Sequence, residues 1–194
     1  MAQGKHRHFI LHKPYGYLSQ FISNEKRRKN RKKLGELYDF PENTMAIGRL
    51  DRDSEGLLLL TTNGKTSAEV RSKKVEKEYY IQVDGVVTKE AIDKLNQGVA
   101  ISINGKLYNT LPAKCFMLET EPNLNVEDRK IRDERHGPTS WLSVTLVEGK
   151  FRQVRKMAAV VGFPVLRLIR VRIGNIHLDD LNHGAVLEVN AFEL

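Results

Sequence analysis

The stretch from Met45 to Thr61 constrains the fold of this chain more than any other. Two apolar runs, Met45 to Leu50 and Leu57 to Thr61, are separated by Asp51-Arg52-Asp53-Ser54-Glu55. Short apolar runs bounded by turn residues read as buried strands. The spacing therefore predicts a strand, a charged turn bracketed by Gly48 and Gly56, and a second strand. A core that takes in both strands leaves the turn at a strand end, with Asp51 between two arginines. A carboxylate held there is placed to do chemistry, and equally to cap a turn or hold an ion pair. Surrounding positive charge is expected to keep it ionised well below neutral pH, which suits attack on an electron-poor carbon.

The rest of the chain interleaves strands and helices. Phe9 to His12 reads as a strand that Lys13-Pro14-Tyr15-Gly16 breaks into a loop. Thr66 to Arg71 follows an Asn63-Gly64 turn as a short helix, and Glu78 to Val83 alternates as a strand. Thr88 to Gln97 reads as a helix capped by Thr88, with Ala91, Ile92 and Leu95 on one face and Gly98 as its stop. Val99 to Ile103 and Lys106 to Asn109 flank Asn104-Gly105, a tight hairpin signal. Ala113 to Leu118 is strand-like and carries Cys115 as a buried, inert thiol. Pro122 to Pro138 is polar and reads as a long exposed loop. Ser140 to Val147 alternates as a strand. Arg152 to Val161 reads as a helix with Val154, Met157, Ala158 and Val161 on one face and Arg152, Arg155 and Lys156 on the other. Val165 to Ile173 is a strand bearing Arg167, Arg170 and Arg172. The pattern is α+β, with a mixed, mostly antiparallel sheet and flanking helices.

With 194 residues and 40% hydrophobic content, one domain is expected, as lobes of about residues 9–71 and 77–194 around a cleft. The net charge of +8 favours a polyanionic partner, nucleic acid first. Ser23 to Lys33 is almost wholly cationic, and reads as a solvated loop or as an arm that orders on phosphates. No run reaches the length of a membrane span and no signal peptide is visible. The single cysteine excludes an internal disulfide, and a cytoplasmic setting is expected.

Metal chemistry finds no support. Asp51 to Gly56 resembles the opening of a calcium loop, but Thr62 stands where a glutamate is needed. His6, His8 and His12 lack partners at zinc spacing. There is no phosphate loop, no dinucleotide fingerprint and no Gly-x-Ser-x-Gly elbow.

Four segments in order do carry a resemblance. Gly48-Arg49-Leu50-Asp51 with Ser54 and Gly56-Leu57-Leu58-Leu59 resembles the central motif of the pseudouridine synthases. Lys13-Pro14-Tyr15-Gly16, Lys77-Glu78-Tyr79 and Glu148 to Met157 resemble their first, tyrosine and arginine motifs. The Arg-Gln-Val-Arg wording is similar to the ribosomal RNA branch typified by RsuA. Leu11 to Phe21, Pro138 to Trp141 and Gly162 to Arg170 are similar to its large-subunit members of the RluE type. Only a dozen residues precede Lys13, so no small N-terminal RNA-binding domain is expected. Ser54 stands where relatives often have threonine and keeps the hydroxyl.

The resemblance implies the pseudouridine synthase catalytic fold with a central RNA cleft. It implies that a flipped-out uridine of ribosomal RNA, most simply large-subunit (23S) RNA, is isomerised without metal or other cofactor. It assigns Asp51 as nucleophile, Tyr79 as the ring stacked on uracil and its proton acceptor, and Arg155 as the partner of Asp51. It assigns RNA contact to Lys13, Arg49, Lys77, Arg152, Arg167 and Arg170, with Lys13 and Arg49 as phosphate or structural contacts. A monomer is expected. The competing readings are a catalytically silent RNA-binding assembly factor and an unrelated hydrolase with a second carboxylate converging on Asp51.

Overall fold

The computed structural model describes residues 6–22, 31–72, 75–131, 133–179 and 181–194. Lys26 to Asn30 of the basic arm lie outside the described residues. In chain order the elements are β1 (His8–Lys13), β2 (Met45–Ala46), β3 (Glu55–Thr61), α1 (Gly64–Ser72), β4 (Lys77–Asp84), α2 (Lys89–Gln97) and β5 (Ala100–Ile103). They continue as β6 (Lys106–Asn109), β7 (Lys114–Met117), β8 (Thr139–Leu146), α3 (Gln153–Val160), β9 (Val165–Ile173), β10 (Ile176–His177) and β11 (Val186–Val189).

Among the described residues, nine strands form one sheet with the path β11-β1-β3-β9-β4-β8-β7, to which β2 and β10 attach. Every named strand pair is antiparallel except β3 with β9, where Glu55 and Gly56 lie opposite Ile169 and Arg170. This crossing joins the two halves of the sheet directly below the charged turn. It is close: a Cβ on Gly56 would sit 2.3 Å from the Arg170 carbonyl oxygen, and Gly56 has φ +102°. Both facts exclude a side chain there. All seven residues of β3 are buried, as its unbroken apolar run requires. The hairpin β5–β6 forms its own two-stranded sheet around Asn104-Gly105.

Period-two alternation puts Tyr79, Ile81 and Val83 of β4 on the buried face. That face packs with Leu142 and Val144 of β8 against Ala91 and Leu95 of α2 and Val154, Met157 and Ala158 of α3. Thr88 caps α2 by accepting from Ala91 N, and Gly98 ends it at φ +91°. Cys115 is buried and burial pushes its thiol up to about 12, so it is inert.

Three expectations are corrected. The first strand of the central motif stops at Ala46, because Gly48 at φ +74° turns the chain out. Residues 47–54 become a loop, pinned where Ser19 Oγ accepts from Leu50 N (3.0 Å) and donates to Leu50 O (2.8 Å). The arginine-motif helix begins at Gln153, with Arg152 before it in the left-handed region at φ 53°. The 122–138 segment is not simply solvated: Leu124 and Val126 pack on the core, and the Arg129 guanidinium lies 3.7 Å over the Tyr15 ring.

Candidate active site

The turn from Asp51 to Ser54 closes with Ser54 N donating to Asp51 O at 3.1 Å. It opens into a cleft of about 1310 Å³ whose walls include Arg49, Asp51, Lys77, Tyr79, Phe151 and Arg155. The turn is held from two sides. From the Lys-Pro motif, Gly16 N donates to Arg52 O at 2.8 Å. From below, the Lys13 ammonium donates to Pro14 O (2.9 Å) and Ser54 O (2.8 Å).

The opposite wall begins at the strained Arg152. Its guanidinium grips Asp53 through two 2.9 Å hydrogen bonds and reaches Asp51 Oδ2 at 3.4 Å. A non-glycine residue in the left-handed region costs of order 1–3 kcal/mol and persists where its surroundings fix it. Here Glu148 fixes it, accepting from Tyr108 OH (2.6 Å), Leu111 N (2.9 Å) and the Gln153 amide. Gln153 Oε1 in turn accepts from Lys150 N at 2.9 Å. Glu148 and Gln153 thus shape the turn that aims Arg152, a role their motif spacing alone did not show.

Several sequence expectations change at this level. Arg155 does not pair with Asp51. Its Nη2 donates to Asp53 O at 2.6 Å and Ser54 Oγ at 3.3 Å, and lies 3.6 Å from the Asp53 carboxylate. The direct cation on Asp51 is Arg152, which the sequence reading placed on RNA. Asp51 is not held at low pKa either. Burial pushes its carboxyl up, Arg152 opposes, and the neighbouring Asp53 charge adds to the rise. Burial also pushes on Asp53, but the Arg152 hydrogen bonds and the Arg155 charge outweigh it and hold that carboxyl down.

Three of the expected RNA cations are turned inward. Arg167 is 5% exposed, donates to both Glu55 oxygens at 2.9 Å, and reaches Glu127 O at 2.8 Å. Arg170 is 4% exposed and donates to Leu57 O at 2.8 Å. Lys13 is wholly buried. Lys13 and Arg167 are absent from the cleft walls, whereas Arg170, although buried, lines the cleft. Arg49 is exposed on the cleft rim and Lys77 is half-buried beside Tyr79, both open to the cleft.

Burial moves the Lys13 ammonium down to about 7, against roughly 10.4 in an unfolded chain. Between those values the unfolded chain binds more protons, so folded stability rises with pH across that interval. Lys13→Met is expected to remove the rise. In urea melts, the stability of the wild type relative to the variant should grow by about 2 kcal/mol from pH 7 to pH 9. A constant difference would show that Lys13 stays charged inside the fold.

A carboxylate in a cleft, two arginines on the aspartate two residues further on, and a tyrosine on β4, the second strand over from β3, define a site for work on a polyanionic substrate. Residues 7–160 match the RNA pseudouridylate synthase family, and the chain belongs to that family. It is 40% identical over 182 residues to ribosomal large subunit pseudouridine synthase E of Vibrio parahaemolyticus, covering 93% of this chain and 72% of the relative. It is 41% identical over 174 residues to the protein of the same name from Xanthomonas axonopodis pv. citri, covering 89% and 88%. A crystal structure of a pseudouridylate synthase superposes with a TM-score of 0.75 at 25% identity, over 95% of this chain and 70% of that one. The α+β class and mixed sheet expected from the sequence agree with that neighbour.

Proposed function

We propose that this protein isomerises a uridine of large-subunit ribosomal RNA to pseudouridine, acting as a monomer in the cytoplasm. The observation that carries the reading is Asp51, set at the mouth of the turn inside the cleft that Tyr79 also lines. The target uridine leaves its stack, because its glycosidic bond is out of reach in a paired helix. The Asp51 carboxylate attacks it and the C1′–N1 bond breaks. The uracil turns within the cleft, C5 bonds to C1′ as the bond from the Asp51 carboxylate to C1′ breaks and frees that carboxylate, and the C5 proton leaves to Tyr79 as N1 gains one. Atoms and electrons balance, so neither metal nor redox cofactor enters. Retention of the detached base is a proximity effect, which favours a closed, water-poor site.

No helix of the described residues is long and apolar enough to cross a membrane, in keeping with this setting. The test is incubation with unmodified ribosomal RNA, then carbodiimide labelling and mapping of reverse-transcription stops. One new stop in the large-subunit RNA is the expected result. Its absence would defeat the reading.

Arg31, Arg49 and Lys77 line the cleft, and Lys32 and Lys33 follow Arg31 in the chain. Replacing Arg31, Lys32 and Lys33 by glutamine is expected to lower RNA affinity and flatten its salt dependence by about one unit of slope per lost phosphate contact. Filter binding across a salt series reads this directly. An unchanged slope would remove the arm from the RNA interface.

A further inference from the structure

Phe151 is a cleft residue to which the reaction above gives no role. Among the described residues the exposed aromatics are Tyr15, Tyr38, Phe116 and Phe151, and Phe151 is the most exposed at 63%. Tyr38 belongs to a ring cluster with Phe9 and Phe40, and Phe116 lies on β7 at one end of the sheet path. Only Tyr15 and Phe151 of the four line the cleft, and Tyr15 already carries the Arg129 guanidinium on its ring. Phe151 is also held in place. The turn under it is closed by Gln153 N donating to Lys150 O at 3.1 Å. The Lys156 ammonium sits 5.3 Å from the ring centroid while it donates to Ser102 O of β5 at 2.7 Å. A lone exposed phenyl is ordinary on a protein surface. One fixed in a basic cleft, beside the residues that do the chemistry, has a use there.

We propose that Phe151 stacks on a base next to the target uridine and so binds the flank of the substrate at the mouth of the cleft. This rests on the reading that the substrate is an RNA with a flipped uridine. Exposure grades the cleft: Tyr79 is 9% exposed and Phe151 63%. A uridine drawn in to Asp51 and Tyr79 therefore leaves its neighbours at the level of Phe151. Flipping deprives those neighbours of the stack they made with the uridine. A phenyl face replaces that stack, and does so for any flanking sequence, because every base has a π-face. A side chain this exposed keeps ring surface free for the base while Lys156 occupies its own position on the ring. Lys150, adjacent in the chain and also on the cleft wall, offers a cation to the phosphate that accompanies the base. Little freedom is lost on binding, since a phenyl has two side-chain torsions and this one stands on a closed turn.

Phe151→Ala is expected to raise KM for unmodified large-subunit ribosomal RNA about tenfold, the order set by loss of one aromatic–base stack, with kcat within about twofold. The melting temperature should hold within about 2 °C, because the side chain is exposed. The slope of log affinity against log salt should hold as well, since a phenyl displaces no counterions. Phe151→Trp, which keeps a π-face, should return KM close to the wild-type value. Phe151→Leu, apolar but without a π-face, should not. The tryptophan variant also gives a direct reading. The single natural tryptophan, Trp141, is buried, so the same RNA should quench the added, exposed indole and leave the emission of the wild type nearly unchanged. An unchanged KM in Phe151→Ala, full rescue by leucine, or an indole that RNA does not quench would each overturn the proposal. Quenching is read without turnover, so the two readings separate. A quenched indole with no pseudouridine formed by the wild type would sink the reaction and not the stack. Normal turnover by the wild type with an unchanged KM in Phe151→Ala would sink the stack and not the reaction.

Discussion

Asp51→Asn is expected to lower pseudouridine formation by at least about a thousandfold, ~4 kcal/mol of barrier, while RNA affinity stays within about twofold. The amide keeps the shape of the side chain and its place in the turn but has no negative oxygen with which to attack. In the function proposed, affinity rests on the cations that line the cleft, Arg31, Arg49 and Lys77 among them, which the substitution does not touch. Stability supplies an internal control with a definite sign. Burial gives Asp51 a higher pKa folded than unfolded, so the folded chain binds the extra proton and stability falls as pH rises through that window. Asparagine removes that loss, and at neutral pH the variant should melt at or above the wild-type temperature. A variant that is both inactive and less stable would point to a structural aspartate. An inactive, stable, RNA-binding variant is the signature of a group retained for chemistry at some cost to the fold.

The second large effect is expected at Glu55, where Glu55→Ala should destabilise the protein by about 3–5 kcal/mol. Glu55 is wholly buried in the first position of β3, directly after the catalytic turn. It accepts both hydrogen bonds of Arg167, and the Arg129 guanidinium lies 3.7 Å away. Removal leaves the Arg167 cation in the core without its counter-charge, and desolvation of an unpaired ion is the costly part of a broken buried pair. For a chain of this size the loss corresponds to a fall of roughly 6–20 °C in melting temperature. Glu55→Leu combined with Arg167→Met, which removes both charges and keeps volume, should recover much of it. A single-variant loss below about 1 kcal/mol would show that water reaches the pair and screens it.

Comparison of these residues shows what the sequence carries and what it does not. Local patterns were legible: the Asn-Gly hairpin, the Thr88 cap, the Gly98 stop and the β4 alternation each depend on neighbours in the chain. The four motifs placed Asp51, Tyr79 and Arg155 around one cleft. The pairing among them was not legible, because it depends on long-range contacts and a single backbone conformation. Arg152 reads as the first residue of an amphipathic helix, yet its left-handed backbone turns it onto Asp53, 99 residues removed along the chain at closest count. Arg167 and Arg170 sit on a strand whose two faces are both covered, so alternation could not mark them as interior. Glu55, 112 residues from Arg167, gives no local sign that it is the buried partner. Asp53 was visible as a second carboxylate two positions after Asp51, and its proximity to both arginines gives it significance only in three dimensions.

The most direct test of the account follows the hydrogen that the reaction must expel. Large-subunit ribosomal RNA is transcribed with uridine tritiated at C5 and mixed with excess enzyme, and tritium released to water is counted over time. Formation of the C5–C1′ bond requires that release, so the wild type should liberate tritium equivalent to one uridine per RNA and Asp51→Asn none above background. Equal release by both proteins, or no release by the wild type, would contradict the claim that the Asp51 carboxylate drives uridine isomerisation.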